Sequence, residues 1–337
     1  MAAVGAGIEA GKNSSAVNPQ ENSVRGSRQG VGGRAQVRRD AAYAKRAADC
    51  AAAEQSVPWW LWWNILSMDA PMVAVTWAAV FAGAAGERLA GADAAVLFLV
   101  VWAIYVCDRL LDGWNARDRG GLRARHFFCE RHGTVLVMLV AFAGGIIFWL
   151  AREYLPAAER GAGWGLGAVL AVYLVAIHFV GLRISWMLPK EMVVGAVFAS
   201  GVALPVWSRS AELTLASCVP WVFFGLLCTL NCWCIECWEK CSGGDNSHGH
   251  EHLRALASAQ VNRFALGLAF LAVVGGVAQR SRGVLAYELM AIGSGALLLL
   301  ALNMRRGRFS AAALRVLADA ALLAPALAVV VLRGVAA

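Results

Sequence analysis

Two aspartates stand one helical turn apart where a strongly apolar stretch ends. Residues 94–107, AAVLFLVVWAIYVC, run directly into DRLLDG, which contains Asp108 and Asp112. Residues four positions apart lie on one face of an α-helix, so these carboxylates would repel each other unless a cation lay between them. Magnesium suits such a place because it binds one or two carboxylates together with substrate phosphates. The spacing therefore predicts two Mg²⁺ ligands with a diphosphate beside them.

A second acidic pair follows a later apolar stretch. Glu236 and Glu239 stand three positions apart in LNCWCIECWEKC, residues 230–241, which also contains Asn231. At this spacing both carboxylates again lie on one helical face. We predict that they form a second acidic wall and bind the same metal, with Asn231 as a polar partner.

Cysteines and histidines in the same region suggest a different metal. The sequence has three histidines in SHGHEH, residues 247–252, shortly after a group of cysteines. Zinc sites use such residues, but the cysteine spacing here is not a repeated C-x-x-C. Since several of these cysteines lie in or beside an apolar helix, we interpret them as packing residues rather than zinc ligands. The cysteines are Cys228, Cys232, Cys234, Cys237 and Cys241.

The elements that must position these residues are membrane helices. Of the 337 residues, 59% are hydrophobic and 15% are charged, a composition that soluble domains rarely reach. A span needs about 20 apolar residues, and in lipid it must be helical because unpaired backbone amides are costly there. We predict an all-α polytopic membrane protein with nine transmembrane helices. The predicted spans are residues 65–86, 94–112, 133–151, 163–182, 191–208, 214–235, 264–279, 284–302 and 316–333.

The first part of the chain differs from the rest. Residues 1–57 are rich in Ala, Gly, Ser and Arg and lack an apolar run, which predicts a disordered basic tail before a membrane domain at 58–337. Most of the 30 Lys and Arg residues, Arg109 among them, fall in this tail or in connections on its side of the membrane. Because basic residues favour the cytoplasmic side, we predict an inner-membrane protein of a bacterium, with the N-terminus inside and the C-terminus outside.

Polar residues near the span ends concentrate on this predicted cytoplasmic side. A charged side chain at the centre of a membrane helix costs about 2.5–3.5 kcal/mol, so such residues usually face a polar interior. Their shared depth predicts a polar cavity among the helices that opens to the cytoplasm. The residues are Asp69, Asp108, Asp112, Lys190, Asn231, Glu236, Glu239, Asn303 and Asp319.

The motif DRLLDG resembles part of a known family motif. The UbiA superfamily of intramembrane prenyltransferases has N-D-x-x-D-x-x-x-D at the cytoplasmic end of its second helix, and Asp108 and Asp112 match the last two aspartates. Ile104 and Tyr105 stand where the family has Asn and the first Asp. Lys190, in MLPKEMVVGAVFASG, resembles a basic residue that the family places before its fifth helix. The family's second aspartate motif falls at the end of the sixth helix, where this chain has the glutamate pair.

The resemblance implies a fold and a reaction. The fold would be a UbiA-like bundle of nine helices covering roughly residues 60–333. The reaction would be metal-assisted ionisation of an allylic prenyl diphosphate, followed by capture of the carbocation by an aromatic or lipid-like acceptor. The expected cofactor is Mg²⁺, bound by Asp108, Asp112, Glu236 and Glu239, and Lys190 would contact the diphosphate. Apolar helix walls would hold the isoprenoid tail.

Two other functions are consistent with parts of the sequence. Intramembrane carboxylates also serve ion coupling, so a non-catalytic lipid-binding or transport protein is the main alternative. The segment DGWNAR, residues 112–117, also matches D-G-x-x-A-R, which opens the motif of CDP-alcohol phosphotransferases. The rest of that motif, an aspartate followed later by a glycine and two further aspartates, is not matched, because those positions hold Arg109, His126, Glu130 and Thr134.

Overall fold

The computed structural model describes residues 58–119, 132–178, 190–210, 215–242, 250–280 and 284–336, together with Ala41 and Ala44. Apart from those two alanines, the predicted tail 1–57 lies outside the described residues, as do His248 and the other residues of the connections 120–131, 179–189, 211–214, 243–249 and 281–283. Every element below belongs to the compact unit Ser56–Ala337.

All regular elements in the described part of the chain are helical, which confirms the predicted all-α class. A 3₁₀ turn, Arg306–Arg308, precedes the last helix. The α-helices are α1 Trp59–Ile65, α2 Asp69–Ala84, α3 Gly91–Arg119, α4 Gly133–Tyr154, α5 Ala157–His178, α6 Lys190–Trp207, α7 Leu215–Ser242, α8 His250–Ala278, α9 Val284–Met304 and α10 Ala311–Ala336.

Seven of these helices are long and apolar enough to cross a membrane: α3, α4, α6, α7, α8, α9 and α10. The short α1 and α2 make an eighth span if the bent pair crosses as one. Helix α5 covers most of the predicted span 163–182 but is not among the seven. The membrane prediction is therefore confirmed for a bundle of apolar helices.

The predicted first span, 65–86, is interrupted by a bend. Helices α1 and α2 meet at 76°. Ser67 between them has a φ of 60°, a left-handed conformation that a non-glycine residue rarely adopts and that cannot continue a right-handed helix. The bend leaves backbone carbonyls at the end of α1 without helical partners. Trp102 on α3 supplies one donor, since its Nε1 atom lies 3.1 Å from the Leu66 oxygen.

An aromatic core holds α2, α7 and α10 together. Trp77 and Phe224 are fully buried, with ring centroids 4.5 Å apart, and Phe81 packs edge-on against Phe224 at 5.7 Å. The indole Nε1 of Trp77 donates to the Leu322 carbonyl at 3.1 Å. Such rings contribute large packing areas, and the indole bond leaves no buried donor unpaired.

Helices α6 and α7 approach each other closely through small residues. A Cβ atom placed on Gly195 would lie 2.4 Å from Thr229 Oγ1 and 2.7 Å from the Gly225 carbonyl oxygen. Membrane helices associate largely through such close backbone contact because lipid supplies no hydrophobic drive between them. This contact fixes the register between the start of α6 and the last third of α7, where Lys190 and Glu236 lie.

Helices α4 and α5 lie at the rim and present large apolar side chains outward. Phe142, Trp149, Trp164 and Val172 are all mostly exposed. Helix α4 packs on α3, and α5 packs on α6 and α3. Apolar surface of this kind is compatible with contact to lipid.

Candidate functional site

The predicted polar residues gather at one end of the bundle. Helices α3, α7 and α9 finish there, and α2, α6 and α10 begin there, as the side-chain contacts described below require. We call this the network end, and its residues are Asn64, Asp69, Asp108, Arg109, Lys190, Glu191, Asn231, Glu236, Glu239, Asn303 and Asp319. The sequence correctly assigned most of them to one depth.

Lys190 and Glu236 form an ion pair between α6 and α7. The Lys190 Nζ atom lies 3.5 Å from Glu236 Oε1 and 3.8 Å from Glu191 Oε1. Glu191 is buried and is hydrogen-bonded to the Glu236 side chain, whereas the Lys190 side chain is 61% exposed. One ammonium thus faces two carboxyl groups and keeps free surface for a further anion.

Asp108 lies on α3, partly buried, towards the same group. The Tyr173 hydroxyl on α5 is within electrostatic range of Asp108 and of Glu191. Because Tyr173 neighbours both residues, Asp108 lies near the group formed by Lys190, Glu191 and Glu236, which we call the Lys190 group. Asp112 belongs to the same helix α3, but its side chain lies outside those that the structure describes.

Glu239 takes a different partner from Glu236. Its carboxylate forms an ion pair with Arg315 at the start of α10. The two glutamates of the predicted second motif therefore form ion pairs with different helices, Glu236 with α6 and Glu239 with α10.

A second acidic group lies deeper, between α2, α7 and α10. Asp69 accepts hydrogen bonds from Asn64 Nδ2 and, at 3.0 Å, from the backbone amide of Ala70. Asp319 accepts from Asn231 Nδ2 at 3.1 Å. The carboxyl groups of Asp69 and Asp319 also contact each other in a side-chain hydrogen bond. Asn231 was predicted as a polar partner of the glutamate pair, and in the structure its amide donates to Asp319 instead.

Arg109 is a buried residue of the network end whose contacts the sequence did not predict. Instead of lying in a cytoplasmic loop, it is 8% exposed, and its Nη1 atom donates to the Asn64 and Ile65 carbonyls at 2.6 and 3.0 Å. Those carbonyls are the ones freed by the bend after α1. The apolar residues on both sides of the Asp108–Arg109 pair were the available signal of burial.

Asn303 is the centre of a polar network between α7, α8 and α9. It is fully buried, accepts from Trp238 Nε1 at 2.8 Å, and donates to Asn262 Oδ1 at 2.8 Å and Ser258 Oγ at 3.3 Å. Arg306 also donates to Ser258. Ser258 and Asn262 belong to α8, which begins well before the predicted span 264–279. Their bonds to Asn303 explain how that polar stretch enters the bundle.

The predicted four-carboxylate magnesium site stays a prediction, because the Asp112 side chain lies outside those that the structure describes. No group of three or more Asp, Glu, His or Cys side chains among the described residues is placed to hold a metal ion. Among the four proposed ligands, Glu236 pairs with Lys190 and Glu239 with Arg315. The pair Asp108 and Asp112 stays a prediction, because only one of its two side chains is described.

The opposite end of the bundle holds a compact ion cluster that the sequence did not indicate. Arg209, just beyond α6, faces Asp93 of α3 through both guanidinium nitrogens, at 2.5 and 2.8 Å, and Glu159 of α5 at 3.2 Å. Ser208 donates to the same Glu159 oxygen at 3.2 Å. Burial, together with the Asp93 charge, raises the pKa of Glu159, and Arg209 and Ser208 act against that shift.

Comparison of the chain with protein-family models, with curated proteins and with solved structures found no match.

Proposed function

We propose that this protein is an intramembrane prenyltransferase-like enzyme of the UbiA type. It would transfer an isoprenoid chain from a prenyl diphosphate to an aromatic or lipid-like acceptor. The observation that supports this most is the position of Lys190, an exposed cation 3.5 Å from Glu236 and close to the Asp108 side of α3. A diphosphate needs a cation at a membrane-facing mouth, and an apolar tail needs adjacent apolar walls.

The proposed roles follow from these contacts. The Lys190 ammonium would bind diphosphate oxygens, and Glu236 would hold that ammonium in position. Asp108 and Asp112 are the proposed ligands of Mg²⁺, which fits the preference of this ion for one or two carboxylates plus phosphate. The apolar faces of neighbouring helices would bind the isoprenoid tail and exclude water from the reacting carbon.

The proposal includes nine crossings of the membrane. The seven long helices, the bent pair α1–α2 and the rim helix α5 together make that number. An odd number of crossings places the two termini on opposite sides. We propose that the network end faces the cytoplasm of a bacterial cell, because the tail and the neighbouring connections carry most of the Lys and Arg residues.

The direct test is an assay with radiolabelled prenyl diphosphate, Mg²⁺ and a mixture of aromatic and lipid acceptors in membranes containing the protein. Product formation should require the protein. Binding of prenyl diphosphate to the solubilised protein should also weaken at least about tenfold, or about 1.4 kcal/mol, in Asp108→Asn, Asp112→Asn and Lys190→Gln.

The controls separate the metal from the cation. Asp118→Asn lies on the same helix α3 beyond the paired turn and should bind normally. The two aspartate variants should lose the Mg²⁺-dependent part of binding, whereas Lys190→Gln should weaken binding with and without Mg²⁺. Wild-type affinity in all three variants would contradict the proposal.

A non-catalytic lipid-binding or transport protein is the second candidate. It is favoured by the pairing of Glu239 with Arg315 and by the carboxyl contact between Asp69 and Asp319. Intramembrane carboxylates of this kind are typical of ion pathways. Binding of a prenyl lipid without turnover in the same assay would support this candidate over the enzyme.

A further inference from the structure

The acidic group around Asp69 and Asp319 is separate from the Lys190 group and calls for its own explanation. Asp69 is 7% exposed, and both of its carboxylate oxygens accept hydrogen bonds, from Asn64 and the Ala70 amide. Asp319 is partly buried and contacts the Asp69 carboxyl. Two carboxyl groups in hydrogen-bond contact repel strongly when both are ionised.

Only part of that negative charge is balanced by cations nearby. Among the described residues, Arg109 is the cation within electrostatic range of Asp319, and its guanidinium donates to the backbone carbonyls of Asn64 and Ile65. Two carboxylates and one guanidinium leave one uncompensated negative charge in a helix bundle, which is costly in a membrane interior. One bound positive charge would make the group neutral.

In the described part of the chain, the other titratable groups that face the pair do not supply that charge. They are Tyr105 on α3 and Cys228 and Cys232 on α7. Phenol and thiol groups carry no positive charge in either protonation state. Helix α1 contributes only the amide of Asn64 here, and α9 has no titratable residue between Leu289 and Met304. Arg315 lies one turn before Asp319 on α10, and its ion pair with Glu239 of α7 is neutral by itself.

An independent observation points to a ligand at the same place. The Asn231 side chain is 8% exposed and donates through Nδ2 to Asp319, yet its Oδ1 atom accepts no hydrogen bond from the described residues. A buried acceptor of this kind is normally satisfied by a donor, often an ordered water. Because Nδ2 of the same carboxamide donates to Asp319 at 3.1 Å, the Oδ1 acceptor also lies beside the carboxyl pair.

We propose that Asp69 and Asp319 form a proton-binding site, in which the two carboxyl groups share one proton and a bound water donates to Asn231 Oδ1. The proton comes from solvent water at the network end, where Asp319 is partly accessible. A hydronium ion gives its proton to one carboxylate oxygen and leaves as water. Direct contact between the carboxyl groups favours a proton over a metal cation, which would have to lie between them. The site does not depend on prenyl transfer.

Infrared spectroscopy of the full-length protein in lipid vesicles tests this site. At neutral pH the protein should show the carbonyl stretch of a protonated carboxylic acid, and this band should shift in D₂O. Asp69→Asn and Asp319→Asn should each remove most of its intensity, because neither leaves a carboxyl pair. Arg109→Gln should raise the intensity to roughly twice the wild-type value, since loss of the guanidinium favours a second proton.

Two controls are matched to these variants. Asp93→Asn removes another buried carboxylate of α3, but one that faces Arg209, so the band should persist. Glu288→Gln removes the buried carboxyl at the start of α9 and gives a background in which the remaining band can be assigned. If an aspartate variant fails to fold, Glu159→Gln and Glu191→Gln are added to the Glu288→Gln protein, which removes the other buried carboxyl groups that could hold a proton, and the band should persist.

Absence of the band in the Glu288→Gln protein would overturn the proposal. So would a band unchanged in both aspartate variants. The measurement is repeated with sodium replaced by choline, and a band that appears only without sodium would overturn the proposal in favour of a sodium site.

Discussion

At the opposite end of the bundle, Asp93 offers both carboxylate oxygens to one guanidinium, whereas at the network end Asp69 and Asp319 bond to amides and to each other. The Arg209 cluster connects three helices with a single cation. The network end instead spreads its polar contacts over more helices. A concentrated ion cluster depends on every member, while a distributed network can be altered at one point and still fold.

The largest effect should come from Arg209→Gln. Removal of one partner leaves Asp93 and Glu159 buried without a cation, which should lower the free energy of unfolding by about 3–5 kcal/mol. Thermal unfolding in detergent measures the loss. Arg152→Gln is the control, because its side chain is 74% exposed and its ion pair with Glu153 should contribute no more than about 1 kcal/mol.

The double variant Asp93→Asn with Arg209→Gln checks the cause. It removes one buried carboxylate together with the cation, so it should be less destabilised than Arg209→Gln alone. Equal loss in the two proteins would show that Arg209 acts through packing rather than charge.

A smaller effect should follow from Gly195→Ala. The added Cβ would meet the Gly225 carbonyl and the Thr229 amide, at 2.7 and 2.9 Å, and these backbone atoms cannot turn away. Overpacking of this kind should cost about 1–3 kcal/mol and should move Glu236 away from Lys190. Gly201→Ala on the same helix α6 is the control, since its Cβ would lie 3.6 Å from a flexible Leu166 side chain.

Thermal unfolding and prenyl diphosphate binding should therefore both change in Gly195→Ala and neither in Gly201→Ala. A stable Gly195→Ala protein with unchanged binding would contradict the view that the α6–α7 contact positions the network end.

The smallest effect concerns pH and Glu159. Because its pKa is raised above 4.5 in the folded state, the folded protein binds this proton more tightly than the unfolded chain does. The contribution is full below the ordinary pKa and is lost as pH rises through the raised value, so stability should fall across that interval. Glu159→Gln should flatten this part of the stability profile, measured by thermal unfolding at a series of pH values. A rise in stability over the same interval that disappears in Glu159→Gln would reverse the expected sign.

Much of the fold was predictable because it depends on local composition. The predicted spans 191–208 and 284–302 coincide closely with α6 and α9. The bend at Ser67 was not predictable, since a serine in an apolar stretch carries no signal of a left-handed conformation. Helix α8 was predicted too short because Ser258 and Asn262 lower its apolarity, although both bond to Asn303 inside the bundle.

The sequence predicted which polar residues lie together at one end of the bundle, but not which of them form pairs. Lys190, Asn231, Glu236, Glu239 and Asp319 were expected at one end, and the structure brings them there. Partners such as Arg315 for Glu239 lie on helices distant in sequence. Spacing along one helix shows which side chains share a face, but it does not show which helix that face meets.

The sequence by itself determined that this chain forms apolar helices and that their polar residues collect towards one end. It could do so because a lipid-facing backbone must bond to itself, which makes hydropathy a direct guide to helical segments. Only the tertiary structure decided that Arg109 binds the carbonyls freed after α1 and that Asp69 meets Asp319. Those contacts involve the segment bent by 76° between α1 and α2 and helices distant in sequence, and so they arise from packing that spacing along one helix does not encode.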